Sequence, residues 1–333
     1  MTNIKASDNR RKMAKGAKKY WTKKRMAKAT PLELRNAPKD IVSKTKQDGK
    51  SRTVQGKLPK SAKRQAASTT EVPNYSAFPV SCVGKIFMRE GSSDYVGSAW
   101  VIGDRTIFTA AHCVFDDNGT FFDDVVFVPQ YKNGSAPHGN FPVVQMAIDD
   151  RYAAGTSTDL NYDLGIGILD KKISDITGVV SFQEFPTSQV SLGASVKGVG
   201  YPAGPPFDGS KMYQSSGQVV AAQSSSEGYF GAENEMTGGC SGGPWFDPSG
   251  VVVGLNSFVF VNQTPPVMYS PYFGTGFTDL IEWANDKDGG VGVDDDNGDG
   301  GQVDKPGTND EIEDIKSELK AQIKEMKNTV DKL

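Results

Sequence analysis

The sequence predicts an all-β domain across the middle of the chain. Its 333 residues include 37 Gly and 18 Pro, and many short runs of Val, Ile and Phe are separated by turn residues. This pattern is typical of short strands joined by tight turns, and few long helical patterns interrupt it. A domain of about 210 residues buries enough apolar surface to fold without a cofactor or a metal, so we expect neither.

The N-terminal segment differs from the rest of the chain in charge. Residues 1–65 contain 21 Lys or Arg and four acidic residues, whereas the other 268 contain 16 basic and 36 acidic residues. Low apolar content and high charge predict disorder between residues 37 and 68. Binding to nucleic acid or to an anionic membrane is the second interpretation of this basic arm, but the arm contains no sequence-recognition motif. We expect neither nucleic acid nor a membrane as a partner.

A histidine that follows an apolar strand is the first candidate for chemistry. His112 lies in the motif Thr-Ala-Ala-His-Cys at residues 109–113, after the apolar run 99–102 and a turn at residues 103–104. The small Ala pair leaves room for the ring. His112 is therefore a candidate general base, which needs a carboxylate to orient its ring and stabilise the imidazolium.

Two acidic residues compete to be that carboxylate. Asp163 opens the apolar strand predicted at residues 164–169, which puts it at the edge of a core. Asp159 lies four residues earlier, in a polar Ser-Thr loop. We prefer Asp163.

The third motif, at residues 237–245, reads Thr-Gly-Gly-Cys-Ser-Gly-Gly-Pro-Trp. Glycine permits positive φ, so Gly239 and Gly242 can hold the Ser241 hydroxyl outward while backbone N–H groups point at an incoming carbonyl. Such donors form an oxyanion hole. Cys240 is an alternative nucleophile, but the glycine spacing favours Ser241.

The order of these motifs resembles that of the chymotrypsin/trypsin-like serine peptidases, in particular their secreted bacterial and fungal branch, which includes glutamyl-endopeptidase-like enzymes. The resemblance rests on TAAHC, YDLGIGIL and GGCSGGPW and runs from roughly Pro73 to Ala284. It implies two six-stranded antiparallel β-barrels, with His112 and Asp163 on the first and Ser241 on the second. It also implies hydrolysis of peptide bonds through an acyl-enzyme.

The resemblance implies further roles near the nucleophile. Gly239 and Ser241 would supply the oxyanion N–H groups, and Ser257 would lie beside the triad and start the strand that pairs with substrate backbone. In trypsin-like relatives, the residue six before the nucleophile lies at the floor of the primary pocket; here it is Glu235, and an acid there favours Lys or Arg substrates. Val259 replaces a glycine at the pocket entrance and would narrow it.

Glutamyl specificity is disfavoured by one position. Relatives with that specificity use a histidine on the pocket strand, where this chain has Asn256. Basic preference is the remaining expectation for the primary pocket.

Three cysteines allow at most one internal disulfide. Family members usually pair the cysteine after the catalytic histidine with one on the preceding strand, but Gly97 stands at that place. By resemblance, Cys82 on the neighbouring first strand would replace it, which predicts a Cys82–Cys113 disulfide and a free Cys240.

Residues 20–32 resemble the pro-segment found ahead of the catalytic domain in the secreted branch. We therefore predict a basic, largely disordered pro-segment at residues 1–70, removed near Lys63-Arg64, and a protease domain at residues 71–286. Cys240 replaces the aspartate that pairs with a new N-terminus in animal digestive enzymes, so we expect the pro-segment to act by occlusion or as a folding aid. The family implies an extracellular enzyme, although no secretory signal is visible at the N-terminus.

The C-terminal region has two parts. Residues 287–308 are predicted to be an acidic Gly/Asp linker; a run that begins like a calcium loop has Pro306 where glutamate is required, so no metal is expected there. Apolar residues at helical spacing predict an amphipathic helix at residues 309–333. This helix offers a surface for self-association.

Two functions compete. The first is a secreted serine endopeptidase that acts on proteins or peptides, and the second is a catalytically idle binding protein with the same fold. Folds of this kind that have lost catalysis usually lack a triad member, and all three are present here. We favour the enzyme.

Overall fold

Two β-sheets position the candidate site residues. The computed structural model describes residues 4–8, 14–37, 53–54, 67–153, 160–183, 191–223, 228–260 and 263–290. Within these residues the expected all-β architecture is confirmed, because strands form both sheets and the helices are peripheral.

Residues ahead of the barrels form short elements that pack on the sheets. In chain order they are β1 (Ile4–Ala6), α1 (Ala14–Tyr20), α2 (Lys23–Met26), β2 (Thr30–Pro31), β3 (Arg35–Ala37), β4 (Thr53–Val54) and β5 (Ser68–Glu71). β1 extends the first sheet by pairing with a strand at residues 141–149, and β4 and β5 pair with a strand of the second sheet.

The first sheet closes into a six-stranded barrel. Its strands are β6 (Val83–Glu90), β7 (Ser93–Val101), β8 (Thr106–Thr109), β9 (Asp123–Pro129), β10 (Phe141–Asp149) and β11 (Gly165–Leu169), with the short helix α3 (Asp150–Ala153) after β10. They pair in the order β6-β7-β8-β11-β10-β9, and β9 pairs again with β6. Phe87, Trp100, Phe108 and Phe127 are fully buried in its core.

The second sheet curls into a half-barrel. The helix α4 (Ser174–Thr177) precedes its strands, which are β12 (Ser195–Gly200), β13 (Tyr213–Gln223), β14 (Tyr229–Glu233), β15 (Pro244–Phe246), β16 (Val252–Leu255), β17 (Phe258–Phe260) and β18 (Val267–Pro271). They pair in the order β16-β15-β12-β13-β14-β18-β17. Two barrel-like units are therefore present, and the first of them is closed.

A helix that the sequence analysis did not predict follows the second sheet. This helix, α5 (Thr275–Gly290), buries Phe277 and Leu280, and the Phe277 ring lies 4.7 Å from that of Phe108 in the first barrel. It extends four residues into the predicted linker. The rest of that linker and the helix predicted at residues 309–333 lie outside the described residues, so self-association through that helix stays a prediction. In the part of the chain that is described, no helix has the length and apolar character needed to cross a lipid bilayer.

The described part of the N-terminal segment forms regular structure. Residues 14–37 form two helices and two strands that pack on the barrels, and Trp21 is only 3% exposed. The Trp21 ring lies 5.3 Å from that of Phe87, and its Nε1–H donates to the Asp124 carbonyl oxygen at 2.5 Å. A few apolar side chains of the predicted pro-segment thus find places on the barrel surface. Most of residues 37–68, for which disorder is predicted, lie outside the described residues.

Candidate active site

The register of β8 and β11 brings His112 and Asp163 together. These strands are antiparallel neighbours, with Thr109 opposite Gly165. The chain leaves β8 into a 3-10 turn that carries His112, and Asp163 comes just before β11. Asp163 Oδ1 accepts the backbone N–H of His112 at 2.9 Å, and its Oδ2 lies 2.8 Å from His112 Nδ1. The end of one strand and the start of its neighbour thus place an imidazole against a carboxylate.

Both side chains are fully buried, so their charges interact strongly. Burial by itself would raise the pKa of Asp163, but the adjacent His112 and the hydrogen bonds hold the pKa below its usual value. One of these bonds comes from Ser257 Oγ, 2.5 Å from Asp163 Oδ2. Burial also lowers the pKa of His112, but the carboxylate outweighs it and raises that pKa above its usual value. The pair therefore fixes the ring orientation, with Nδ1 toward the carboxylate, and stabilises positive charge on the ring when His112 takes up a proton.

The turn that carries Ser241 depends on two glycines. Gly239 has φ of +94° and Gly242 has φ of +82°, which favour glycine. A Cβ on Gly242 would also overlap the Ser98 carbonyl oxygen. The Ser241 carbonyl oxygen accepts the Ser98 N–H at 2.7 Å and lies 3.5 Å from Cys113 Sγ. The serine turn thus packs against β7 and against the residue that follows His112.

The comparisons with known proteins cover the region that contains all three residues. The family described as trypsin-like peptidase domain matches residues 97–255. The crystal structure of protease Anisep from Arthrobacter nicotinovorans shares 30% sequence identity and a TM-score of 0.54, over 63% of this chain and 97% of that one. The chain belongs to the trypsin-like serine peptidases.

Two further relatives of this trypsin-like chain carry glutamyl endopeptidase names. A glutamyl endopeptidase of Bacillus licheniformis is 29% identical over 181 residues, which are 54% of this chain. The chain spans about half of that relative, 53% of its length. A solved structure of a Glu endopeptidase has a TM-score of 0.55 and 19% identity, over 66% of this chain and 96% of that one. This last likeness supports the trypsin-like fold alone.

The groups expected to react are closed off from solvent in this trypsin-like chain. Ser241 is 0% exposed and His112 is 1% exposed. Ser241 Oγ and His112 Nε2 are both inaccessible, and neither has a hydrogen-bond partner among the described residues. A serine hydroxyl in this state cannot reach a substrate, so other parts of the chain cover it.

Residues 30–37, which we call the cleft segment, run across this site from one barrel to the other. β2 pairs in parallel with β7, and the Leu32 N–H donates to the Val96 carbonyl oxygen at 3.0 Å. The Leu32 carbonyl oxygen then accepts the Gly239 N–H at 3.0 Å, which is the donor that the resemblance assigns to the oxyanion hole. β3 pairs in parallel with β17, the strand that follows Ser257. The cleft segment therefore pairs with the backbone groups that the resemblance assigns to substrate.

Arg35 adds a charged contact to this backbone pairing. Its Nη1 lies 2.8 Å from Asp117 Oδ2, and its Nη2 lies 2.6 Å from Asp117 Oδ1. Burial disfavours the charged guanidinium, but Asp117, with Tyr152 and Asp163 nearby, outweighs burial and raises the pKa of Arg35 above its usual value. Sequence reasoning missed both partners, because neither belongs to a motif and the contact joins residues 82 positions apart.

The residues predicted for the specificity pocket have different environments. Glu235 is exposed, and it makes no hydrogen bond or ion pair within the described part of the chain. Val259 is partly buried and lies opposite Asn36 in the pairing of β17 with β3. Asn256 is fully buried. Its Oδ1 accepts from Asn234 and Trp245, and its amide donates to two backbone carbonyls, so its hydrogen-bonding capacity is used inside the fold.

The predicted Cys82–Cys113 disulfide is not formed, and all three cysteines are buried free thiols. Cys82 Sγ donates to the Thr177 carbonyl oxygen at 3.1 Å, whereas a Cβ built on Gly97 would lie 3.0 Å from Cys113 Sγ. Cys113 thus does face the position of the missing family cysteine, but Cys82 has a separate environment. Burial raises the pKa of Cys240, which disfavours the reactive thiolate and the thiol-nucleophile alternative.

Proposed function

We propose that this chain is the inhibited precursor of a serine endopeptidase that hydrolyses peptide bonds in proteins or peptides. The observation that carries the proposal is the double hydrogen bond between Asp163 and His112 beside the Ser241 turn. Ser241 Oγ would attack the substrate carbonyl carbon while His112 Nε2 accepts the hydroxyl proton, and Asp163 would stabilise the imidazolium. The backbone N–H groups of Gly239 and Ser241 would donate to the developing oxyanion.

The second half of the reaction uses the same groups. His112 would return its proton to the leaving amine, which breaks the peptide bond and leaves the acyl group on Ser241. Water would then attack the acyl carbon as His112 accepts its proton. The bond from the acyl carbon to Ser241 Oγ would break, and His112 would return the proton to Oγ, which frees the carboxylic acid product and restores the serine. The position of Ser257 against Asp163 supports a role in holding the carboxylate in place.

Inhibition by the cleft segment is the second part of the proposal. The buried Ser241 and the Leu32 carbonyl on the Gly239 N–H support occlusion as the role of the N-terminal segment. Cleavage of the chain after the cleft segment would end the inhibition. The expected processing site at residues 63–64 lies outside the described residues. An inhibited precursor suits an enzyme that becomes active after export, which agrees with the extracellular location that the family implies.

A covalent probe tests both parts. A fluorophosphonate reacts with the activated serine of a serine hydrolase, so we expect slow labelling of the intact chain and rapid labelling after limited proteolysis between residues 37 and 67. Ser241→Ala is the control and should take no label in either state. Absence of label after proteolysis would favour the catalytically idle protein. Equal labelling before and after proteolysis would refute the inhibited precursor and leave the enzyme standing.

A further inference from the structure

The contact between Arg35 and Asp117 has the form of a recognition site. The two terminal guanidinium nitrogens each contact one carboxylate oxygen, at 2.8 and 2.6 Å, which is the bidentate geometry that makes Arg–carboxylate pairs strong and selective. The Arg35 side chain is mostly enclosed, and its Nε is inaccessible to solvent. The Asp117 side chain is 70% exposed even with Arg35 in place. Removing the cleft segment would therefore leave an open anionic site.

The site lies beside the candidate triad. Asp117 comes five residues after His112, and the charge of His112 is one of the influences that lower the pKa of Asp117, after the hydrogen bond from Arg35. Tyr152 and Asp163 also lie within electrostatic reach of the Arg35 guanidinium. A basic side chain at this place therefore meets a carboxylate within a short distance of the groups expected to react.

The backbone gives a second reason to connect this site with substrates. Arg35 lies opposite Phe258 on β17, one residue after Ser257. An extended peptide that adds to the same strand edge gains main-chain hydrogen bonds, and its side chains then reach fixed places beside that edge. A substrate residue opposite Phe258 would have its side chain within reach of Asp117.

We propose that Asp117 forms a subsite that selects a basic side chain, Lys or Arg, in peptide substrates of this enzyme, and that Arg35 fills this subsite in the precursor. The proposal rests on the proposed endopeptidase function. It differs from the expectation based on Glu235, which is exposed and has no partner in the cleft segment among the described contacts. Asp117 selects which substrate binds, and it takes no part in breaking the peptide bond.

Substrate profiling of the whole chain, nicked by limited proteolysis, tests the subsite. The substrates are internally quenched peptides that carry Lys, Gln or Glu at each position around the scissile bond. At one position we expect kcat/KM for Lys to exceed that for Gln about tenfold, as a charge-assisted pair provides. Asp117→Asn should bring this ratio near one, and Asp117→Lys should favour Glu at the same position. Thermal melting confirms that each variant is folded.

Two control variants separate this site from other acids. Asp123→Asn removes a partly exposed carboxylate of the same barrel that pairs with Arg89, and Glu235→Gln tests the pocket residue expected from the sequence. Both should keep the Lys preference at the Asp117-dependent position. Loss of that preference in Glu235→Gln, or its survival in Asp117→Asn, would overturn the proposal. Hydrolysis with no Lys preference at any position would overturn the subsite alone, whereas a nicked chain that neither takes the fluorophosphonate nor cleaves any peptide would overturn the proposed function as well.

Discussion

One charge pair belongs to the candidate triad and a second lies within electrostatic reach of it, and the two differ in how far they are enclosed. His112 and Asp163 are held next to the ends of adjacent strands of one barrel, and both side chains are fully buried. Arg35 and Asp117 make contacts of similar length, but the Arg35 belongs to the cleft segment, and the Asp117 side chain is 70% exposed. The first pair is part of the fold. The second can separate without disturbing either barrel.

This difference in burial predicts at which stage of maturation each pair exists. Removing one partner of a buried pair destabilises the folded protein, because the other charge is left unpaired in its interior. When one partner is exposed, as the Asp117 carboxylate is, it can exchange the other partner for solvent or for another cation at a small cost in free energy. We therefore expect the His112–Asp163 pair to persist from precursor to enzyme, and the Arg35–Asp117 pair to exist in the precursor alone.

Breaking the His112–Asp163 pair, which we call the permanent pair, should have the largest effect on activity. Asp163→Asn keeps the size of the side chain but removes the charge that stabilises the imidazolium, and we expect kcat of the nicked enzyme to fall about 10⁴-fold. The rate of peptide hydrolysis at saturating substrate measures this fall in kcat. Asp159→Asn changes the competing acid and should leave kcat close to that of the unmodified enzyme. The reverse result for the two variants would assign the carboxylate role to Asp159.

The Arg35–Asp117 pair, which we call the removable pair, forms only while the N-terminal segment stays docked, and a residue away from the cleft segment contributes to that docking. Trp21 fixes the N-terminal segment to the first barrel, and truncating a buried Trp costs about 3–5 kcal/mol. We expect Trp21→Ala to raise the rate of fluorophosphonate labelling of the intact chain about 100-fold, since the segment would detach more often. Lys24→Ala, an exposed change on the same segment, should leave the rate unchanged. Unchanged labelling of Trp21→Ala would show that the cleft segment holds without its anchor.

Breaking the removable pair itself should have a smaller effect. Arg35→Ala leaves the backbone pairing of the cleft segment intact, so we expect labelling of the intact chain to rise about tenfold. Arg35→Lys keeps the charge but loses the bidentate geometry and should give an intermediate rate. Lys28→Ala is the control for loss of a nearby positive charge. A rate for Arg35→Ala equal to that of the unmodified chain would show that backbone pairing alone holds the segment.

The same distinction explains what the sequence could predict. His112, Asp163 and Ser241 belong to local motifs, and the strand register that joins the first two follows from apolar runs that are visible in the sequence. The cleft segment has no such signal, because its pairing with β7 and β17 is parallel and joins residues far apart in the chain. The disulfide was predicted wrongly for a related reason: Cys82 lies in a short 3-10 turn just ahead of β6, and not on the strand where the sequence analysis placed it.

Acid should weaken the removable pair and leave the permanent pair largely intact. The hydrogen bond from Arg35 holds the pKa of Asp117 below its ordinary value of 3.8, so docking gains stability that is fully present above that value and is lost as the pH falls through the docked pKa. We expect labelling of the intact chain, relative to the nicked chain, to rise about two- to fivefold below roughly pH 4. The nicked chain corrects for titration of His112 and Asp163, which both forms share. Asp117→Asn has no carboxylate to protonate, so its ratio should start high and change little over the same range; an identical rise in this variant would trace the acid effect to other ion pairs of the segment, such as that of Lys18 with Asp170.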